Sequence, residues 1–374
     1  MYRVKLGLSI PMEVINVSKF IDSIRESHFL GGRTLKTGIS VFVTALICGF
    51  FNLPVVFAVI TAIVTIEHTA ADSIKKAAIR FPASAIGALL ATTFYAIWGK
   101  SALTFALAAM LTIAICHKLK LDDGILVATI TATAMIPDFQ DQHFVSFLTR
   151  LGTTSIGIVV STIVNFFLLP PNYTSRIFQS VNDLYGHAAQ LLESIVIAEK
   201  GASHERSRRI NRSYRQLTAH LEKTYQLSQF QREEWKYHKH TNEEMRAFQF
   251  SQRKLGALQQ ITFHLGNLQY VEANLSEFKP HERKLIEEVT TSYMQILKDP
   301  AHHMSEDHFV TVEKLDALFW KWKENHVEQE KHFRQHLPPQ TILIYELLSL
   351  HDVLEEIAEL CHSNQRIIER CYIK

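Results

Sequence analysis

Six apolar stretches crowd into the first 171 of 374 residues: Leu35–Phe51, Leu53–Ile66, Pro82–Trp98, Ser101–Cys116, Gly124–Ile136 and Phe144–Leu169. A helical crossing of a bilayer takes roughly 20 apolar residues, with a range of about 17–25. The first, third and sixth stretches are long enough and the fourth is close, whereas the second and fifth have only 14 and 13 residues. A soluble core built from them would bury six nearly charge-free segments, and core helices usually keep a polar face. The pattern predicts an all-α fold: a six-span transmembrane helical domain over residues 35–171, set in a lipid bilayer.

Charge divides the chain at the same place. Residues 1–171 hold 13 Lys+Arg and 9 Asp+Glu, whereas residues 172–374 hold 26 and 28. A mean hydropathy near zero is therefore an average over two unlike halves. Residues 1–34 read as a cytoplasmic N-terminal amphipathic segment, and residues 172–374 as a cytoplasmic α-helical domain. The first 36 residues carry Arg3, Lys5, Lys19, Arg25, Arg33 and Lys36, without the compact apolar core and cleavage site of a secretory signal. Lys75, Lys76 and Arg80 fall between stretches two and three, and Lys118 and Lys120 between four and five. The opposite loops hold Lys100, and the last carries Asp138 and Asp141. The excess of cations on one side predicts a multi-pass membrane protein with both termini cytoplasmic. Cys48, Cys116, Cys361 and Cys371 form no CxxC and read as free thiols in a reducing compartment.

A repeat runs through the apolar half. RFPASAIG at Arg80–Gly87 returns as RLGTTSIG at Arg150–Gly157, 70 residues later. At the same offset Ala58 meets Ala128, Ile60-Thr61-Ala62 meets Ile130-Thr131-Ala132, Ile66 meets Ile136, and Thr92 meets Thr162. Three spans is an odd number, so the second copy inserts upside down relative to the first. That is the inverted-repeat plan of secondary transporters, in which a matched pair of short spans points to the substrate site. Here the pair is VVFAVITAIVTI and ILVATITATAMI.

Thr61, Thr65, Thr131 and Thr133 on those spans are substrate-pathway candidates, with helix packing as their plainer role. Gly87 and Gly157 read as close-packing positions. An arginine in a span is costly and points to function. Arg80 begins the third span near the cytoplasmic face, where snorkelling to headgroups also suits it. Arg150 lies six residues into the sixth, near the outer face, where snorkelling suits it less. The expectation is that the pair marks the two mouths of one anion-attracting pathway. Glu67, which ends the short second span, is the candidate for proton coupling, against a simple interfacial role.

After Pro170-Pro171, the positions Ile177, Val181, Leu184, Ala188, Leu191 and Ile195 make a helix-packing seam. Further helices are predicted to about His240, from Glu243 to about Glu277, His281 to Lys298, Glu306 to about Phe333, and Ile342 to about Arg370. Breakers fall at Gly201, Pro280, Pro300 and Pro338-Pro339. This half holds 15 of 19 histidines. The groups His238/His240 and His302/His303/His308 lack a Cys partner or an HExxH arrangement and read as solvated surface, so no metal is expected. The basic run Glu205–Arg215 suits anionic lipid or acidic partners, and the near-neutral overall charge argues against nucleic acid. No GxxxxGK[ST], GxSxG, kinase signature or Rossmann glycine set is present, so no cofactor and no enzymatic activity are expected.

The segments GGRTLKTGIS at Gly31–Ser40, Ala58–Thr92 and Arg150–Pro171 resemble the aromatic acid exporter family of the fusaric acid resistance-like superfamily. The likeness is to the Gram-positive type that joins one six-span domain to a cytoplasmic helical C-terminal domain, and it covers residues 10–335 or thereabouts. It implies efflux of aromatic carboxylic acids or similar small organic anions across the plasma membrane, by a homo-oligomer. The alternatives are an organic-anion channel, or a non-transporting scaffold or sensor that acts through the cytoplasmic helices.

Overall fold

A computed structural model describes residues 32–136, 143–168, 171–197, 203–271, 275–329 and 337–372. Nearly all of the N-terminal segment 1–34, together with Asp138, Asp141 and Pro170, lies outside the described residues. Among the described residues the regular structure is entirely helical, with 13 α-helices. The chain forms two compact units: Met1–Pro171 with Lys236–His238, and Asn172–Trp235 with Lys239–Lys374.

The first unit contains α1 (Gly32–Phe50), α2 (Val55–Thr65), α3 (Ala70–Trp98), α4 (Ala102–Lys118), α5 (Ile125–Met135) and α6 (His143–Phe167). By length and composition α1, α3 and α6 can cross a membrane, and α2 and α4 are shorter apolar helices. The third stretch begins earlier than its apolar run. Thr69 caps α3 by accepting from the Asp72 amide at 3.0 Å, and the helix passes through Pro82 without ending. Arg80 is therefore well inside a 29-residue helix and does not begin it. The charged turn Asp72–Lys76 hides those first turns from a hydropathy reading.

Packing in this unit is the reverse of a water-soluble core. Helix α1 turns Lys36, Ser40, Thr44 and Cys48 inward, while Phe42, Leu46 and Phe50 are exposed. Helix α4 buries Thr104, Ala108, Thr112 and Cys116 and exposes Leu103, Met110 and Ile113. Small side chains let helix backbones approach, and the large apolar ones face outward, which is the arrangement that lipid favours.

The repeat is visible in the packing. Moving 70 residues along the chain carries α2 onto α5 and α3 onto α6. Helix α3 packs on α5 and α6 packs on α2; α3 packs on α4 and α6 on α1; α3 and α6 pack on each other. The first helices follow a different register. Lys36, Ser40, Thr44 and Cys48 correspond to Thr104, Ala108, Thr112 and Cys116 at an offset of 68. The closing turns agree at that offset: the Leu53 amide donates to Cys48 O and the Leu121 amide to Cys116 O, both at 2.9 Å. Asn52 and Lys120 both take the left-handed conformation, with φ of 49° and 58°, as helix C-terminal residues commonly do. The two-residue slip arises in the connections: four residues join α1 to α2, and six join α4 to α5, including the turn Asp122–Gly124.

The second unit contains α7 (Thr174–Val196), α8 (Ser203–Glu234), α9 (Asn242–Tyr270), α10 (Pro280–Lys298), α11 (Glu306–Gln329), α12 (Pro339–Ser363) and α13 (Gln365–Tyr372). Its core is conventional. Ile177, Val181, Leu184, Ala188 and Leu191 of α7 are buried against Leu258, Ile261, Leu265, Ile286, Val289 and Ile344. Helix α8 ends at Glu234 and α9 at Tyr270, both short of the predicted ends. Thr241 and Glu244 start α9 with reciprocal bonds. Pro280 and Pro339 are the first residues of α10 and α12, where a missing amide hydrogen costs nothing.

Candidate functional site

The chain turns between α2 and α3 over Ile66–Thr69, and this corner gathers several charged side chains of the first unit. Lys76 and Arg80 are four residues apart and share one face of α3. Both reach Glu67: Arg80 Nη2 lies 2.6 Å from Oε1, and Lys76 Nζ lies 3.1 Å from Oε2. Lys76 also pairs with Asp72 Oδ2 at 2.8 Å. Arg80 donates through Nη1 to Val64 O at 3.1 Å and through Nε to Asp123 O at 3.2 Å. Val64 belongs to the last turn of α2, whose carbonyls have no partner within the helix. The guanidinium satisfies one of them at the negative end of the helix dipole. Arg80 is 7% exposed and turns inward, not toward headgroups.

Helices α1 and α6 close the same corner. Asn165 of α6 donates from Nδ2 to Ser73 Oγ at 2.6 Å, to Thr69 O at 3.2 Å and to Glu67 O at 3.3 Å. Its Oδ1 accepts from Lys36 Nζ at 2.9 Å. Arg33 of α1 donates to Ile66 O at 3.1 Å. Lys36, Ser73 and Asn165 are buried, and sequence reasoning did not single them out as site residues. One signal was present: a lysine and an asparagine on the inner stripes of two apolar helices.

Arg150 occupies the matching position in the second repeat. Its guanidinium lies 3.6 Å above the Phe57 ring of α2, and Nη2 is 3.2 Å from Thr131 Oγ1 of α5. Thr131 Oγ1 is in turn 3.0 Å from Ser84 Oγ of α3. Arg80 thus joins the end of α2 to the turn before α5, through Val64 and Asp123, and Arg150 joins α2 to α5, through Phe57 and Thr131.

The threonines separate into two groups. Thr61 bonds Phe57 O, Thr65 bonds Thr61 O, Thr129 bonds Ile125 O and Thr133 bonds Thr129 O, each within its own helix. Thr131 alone of this set is bonded across helices by its side chain, to α3 and α6. Gly87 and Gly157 stand where the repeats exchange contacts. A Cβ on Gly87 would lie 2.3 Å from Ala128 O, and one on Gly157 would lie 2.4 Å from Ala58 O. These are the same contact carried from one repeat to the other.

The histidines expected at the surface of the second unit divide. His303 is exposed and pairs with Asp299 at 2.8 Å, and His240 stacks on Trp235. His302 and His308 are buried, at 1% and 2% exposure. His302 Nδ1 bonds Ile296 O at 2.7 Å, and His308 bonds Ser292 at 2.7 Å and His351 at 3.1 Å. They pack the core because α10, the turn after it and α12 close over them, which an i, i+1 pattern of histidines does not reveal. Burial, together with Lys254, pushes His302 down to about 3; burial and His351 push His308 down to about 4. Lys254 is pushed down to about 8 by burial; its Nζ is 3.3 Å from both Asn182 Oδ1 and Pro300 O. Among the described residues, no group of three or more His, Cys, Asp or Glu is placed to hold a metal ion.

Residues 28–168 match the family described as aromatic acid exporter family member 1. That match contains α1–α6 and every charged group of the corner. Over the longer chain, a UPF0421 protein of Bacillus cereus is 44% identical across 341 residues, covering 90% of this chain and 96% of its own. A UPF0421 protein of Halalkalibacterium halodurans is 37% identical, covering 94% and 96%. One from Staphylococcus haemolyticus is 34% identical, covering 85% and 95%. The likeness therefore runs through both units, and the chain belongs to the UPF0421 proteins, with an aromatic acid exporter family domain over residues 28–168.

Proposed function

We propose that this is an integral membrane transporter that exports small organic anions, aromatic carboxylates by the family description, through the paired short helices α2 and α5. The observation that carries the reading is that each repeat sends a buried arginine to the paired short helices: Arg80 bonds the end of α2 and the turn that leads into α5, and Arg150 touches α2 and α5 themselves. A passive anchor has no use for two buried guanidiniums between its shortest helices, and charge at that depth is retained for function. The exchanged Gly87–Ala128 and Gly157–Ala58 contacts support reading the six helices as two inverted three-helix repeats. In that architecture the repeats rock about a site at their interface. With the termini on the cytoplasmic side, the Glu67 corner lies at the inner mouth and Arg150 toward the outer one. Glu67 is the group through which a proton would couple to transport.

The test is flux of labelled 4-hydroxybenzoate in proteoliposomes, with and without a proton gradient. Wild-type protein is expected to carry saturable flux, and Arg150→Gln to lower it while inserting normally. Unchanged flux in Arg150→Gln removes Arg150 from the pathway. No flux for a panel of organic anions overturns transport in favour of a scaffold or sensor.

A further inference from the structure

We infer that Arg80 and Lys76 form the receptor for the substrate's carboxylate, and that Glu67 is an internal carboxylate occupying it between substrates. The inference rests on the transport reading above. Its basis is the division of labour around Arg80. Two of its three bonds go to main-chain carbonyls, Val64 O and Asp123 O, so its position does not depend on Glu67. The remaining Nη2 edge and Lys76 Nζ converge on the two oxygens of one carboxylate, at 2.6 and 3.1 Å. A guanidinium edge and an ammonium aimed at separate oxygens of one carboxylate would serve any carboxylate that reached them.

Glu67 is placed to leave. It lies in the connection Ile66–Thr69, outside both α2 and α3, so swinging its side chain away breaks no helical hydrogen bond. What holds it is burial: the side chains of Arg80 and Glu67 are 8% and 10% exposed. Breaking such a pair without replacement leaves buried charge uncompensated. Exchange for another carboxylate does not. The corner therefore releases Glu67 in return for an incoming anion, and Lys76, at 23% exposure, is its open side. The second repeat has no copy of this device. At the 70-residue offset, Pro137 stands for Glu67 and Ser146 for Lys76, with only the arginine kept as Arg150.

The experiment is equilibrium binding of 4-hydroxybenzoate to the full-length protein in nanodiscs, with 4-hydroxybenzamide as the uncharged probe. If Glu67 fills the receptor about nine-tenths of the time, Glu67→Gln tightens 4-hydroxybenzoate binding about tenfold. The benzamide is expected to gain nothing, and Lys76→Gln to weaken benzoate binding. Should Glu67→Gln fail to give monodisperse protein, Glu67→Asp replaces it; its shorter side chain competes less and is expected to tighten binding by a smaller factor. Unchanged or weaker benzoate binding in the folded Glu67 variant overturns the inference while leaving transport intact. So does an equal gain for the benzamide. A wild-type protein that neither binds nor moves the benzoate overturns the transport reading, and the inference with it.

Discussion

Arg80 Nη2 stands 2.6 Å from Glu67 Oε1, and the same guanidinium spans the carbonyls of Val64 and Asp123. One side chain of α3 thus holds the end of α2, the turn before α5 and the corner carboxylate. Removing it strips three acceptors at once. Breaking a buried pair by deleting one partner costs about 3–5 kcal/mol. Arg80→Gln is expected to lose about 3 kcal/mol, at the low end because Lys76 remains on Glu67. Thermal unfolding of the detergent-solubilised protein checks this. A loss under about 0.5 kcal/mol, the range of an ordinary surface change, would mean that the three bonds do not hold the corner together.

Gly152 and Gly157 lie on the same helix and give opposite expectations. A Cβ on Gly152 meets nothing within 4 Å, so Gly152→Ala is expected to stabilise by about 0.5–1 kcal/mol through helix propensity alone. A Cβ on Gly157 would lie 2.4 Å from Ala58 O, backbone that cannot turn aside. Gly157→Ala must push α2 from α6 and is expected to destabilise by about 1–3 kcal/mol. Gly87→Ala meets the equivalent contact with Ala128 and is expected to match it. Melting temperatures of the three variants decide whether the repeats meet where these contacts put them.

Much of this arrangement was legible in the sequence, for identifiable reasons. Pro54 and Gly124 stand directly before α2 and α5, and the apolar run of each ends at an isoleucine. The predicted short spans therefore differ from the helices by one or two residues at each end. The 70-residue offset paired Gly87 with Gly157 because each copy must leave the same space for a neighbouring backbone. The 68-residue register of α1 and α4 was hidden, since their shared stripe is a spacing of buried residues with only Thr44/Thr112 and Cys48/Cys116 identical. The corner site was half legible. Glu67 and Arg80 are charges next to apolar runs, but Lys36 and Asn165 are 129 residues apart. Their meeting is a property of how α1 and α6 pack, which periodicity within either helix does not carry.

Thr131 is the one threonine of the short helices whose side chain is bonded to other helices, and its neighbours provide controls. Thr129 and Thr133 bond carbonyls of their own helix one turn back, so Thr→Val there exchanges a weak local bond for a methyl group. Those changes are expected to stay within about 0.5 kcal/mol. Thr131→Val takes an acceptor from buried Arg150 and a partner from buried Ser84. The expected cost is about 1–3 kcal/mol, with reduced 4-hydroxybenzoate flux. Equal melting temperatures and equal flux for all three variants would remove the Ser84–Thr131–Arg150 chain from the pathway.

The second unit is expected to lose stability in acid, with a sign fixed by its buried histidines. The ordinary value of 6.5 falls to about 3 for His302 and about 4 for His308. Between those values and 6.5 the unfolded chain binds more protons than the folded one, so stability rises with pH across that window. The contribution is fully present above about pH 6.5 and is lost as pH falls toward 4, at about 1.4 kcal/mol per pH unit for each histidine. His351, in contact with His308, is also lowered by burial, against the pull of Glu355 and Asp352, and it acts in the same direction. His302→Asn tests the origin of the effect. Asparagine accepts the left-handed backbone at this position, where φ is 51°, and its amide can still donate toward Ile296 O. It does not titrate, so the acid slope is expected to fall by about one proton's worth. Three of the four tryptophans, Trp235, Trp320 and Trp322, lie in this unit, so fluorescence-monitored denaturation between pH 4 and 7 follows it. An unchanged slope in His302→Asn would show that the buried ring is not the group that takes up the proton on unfolding.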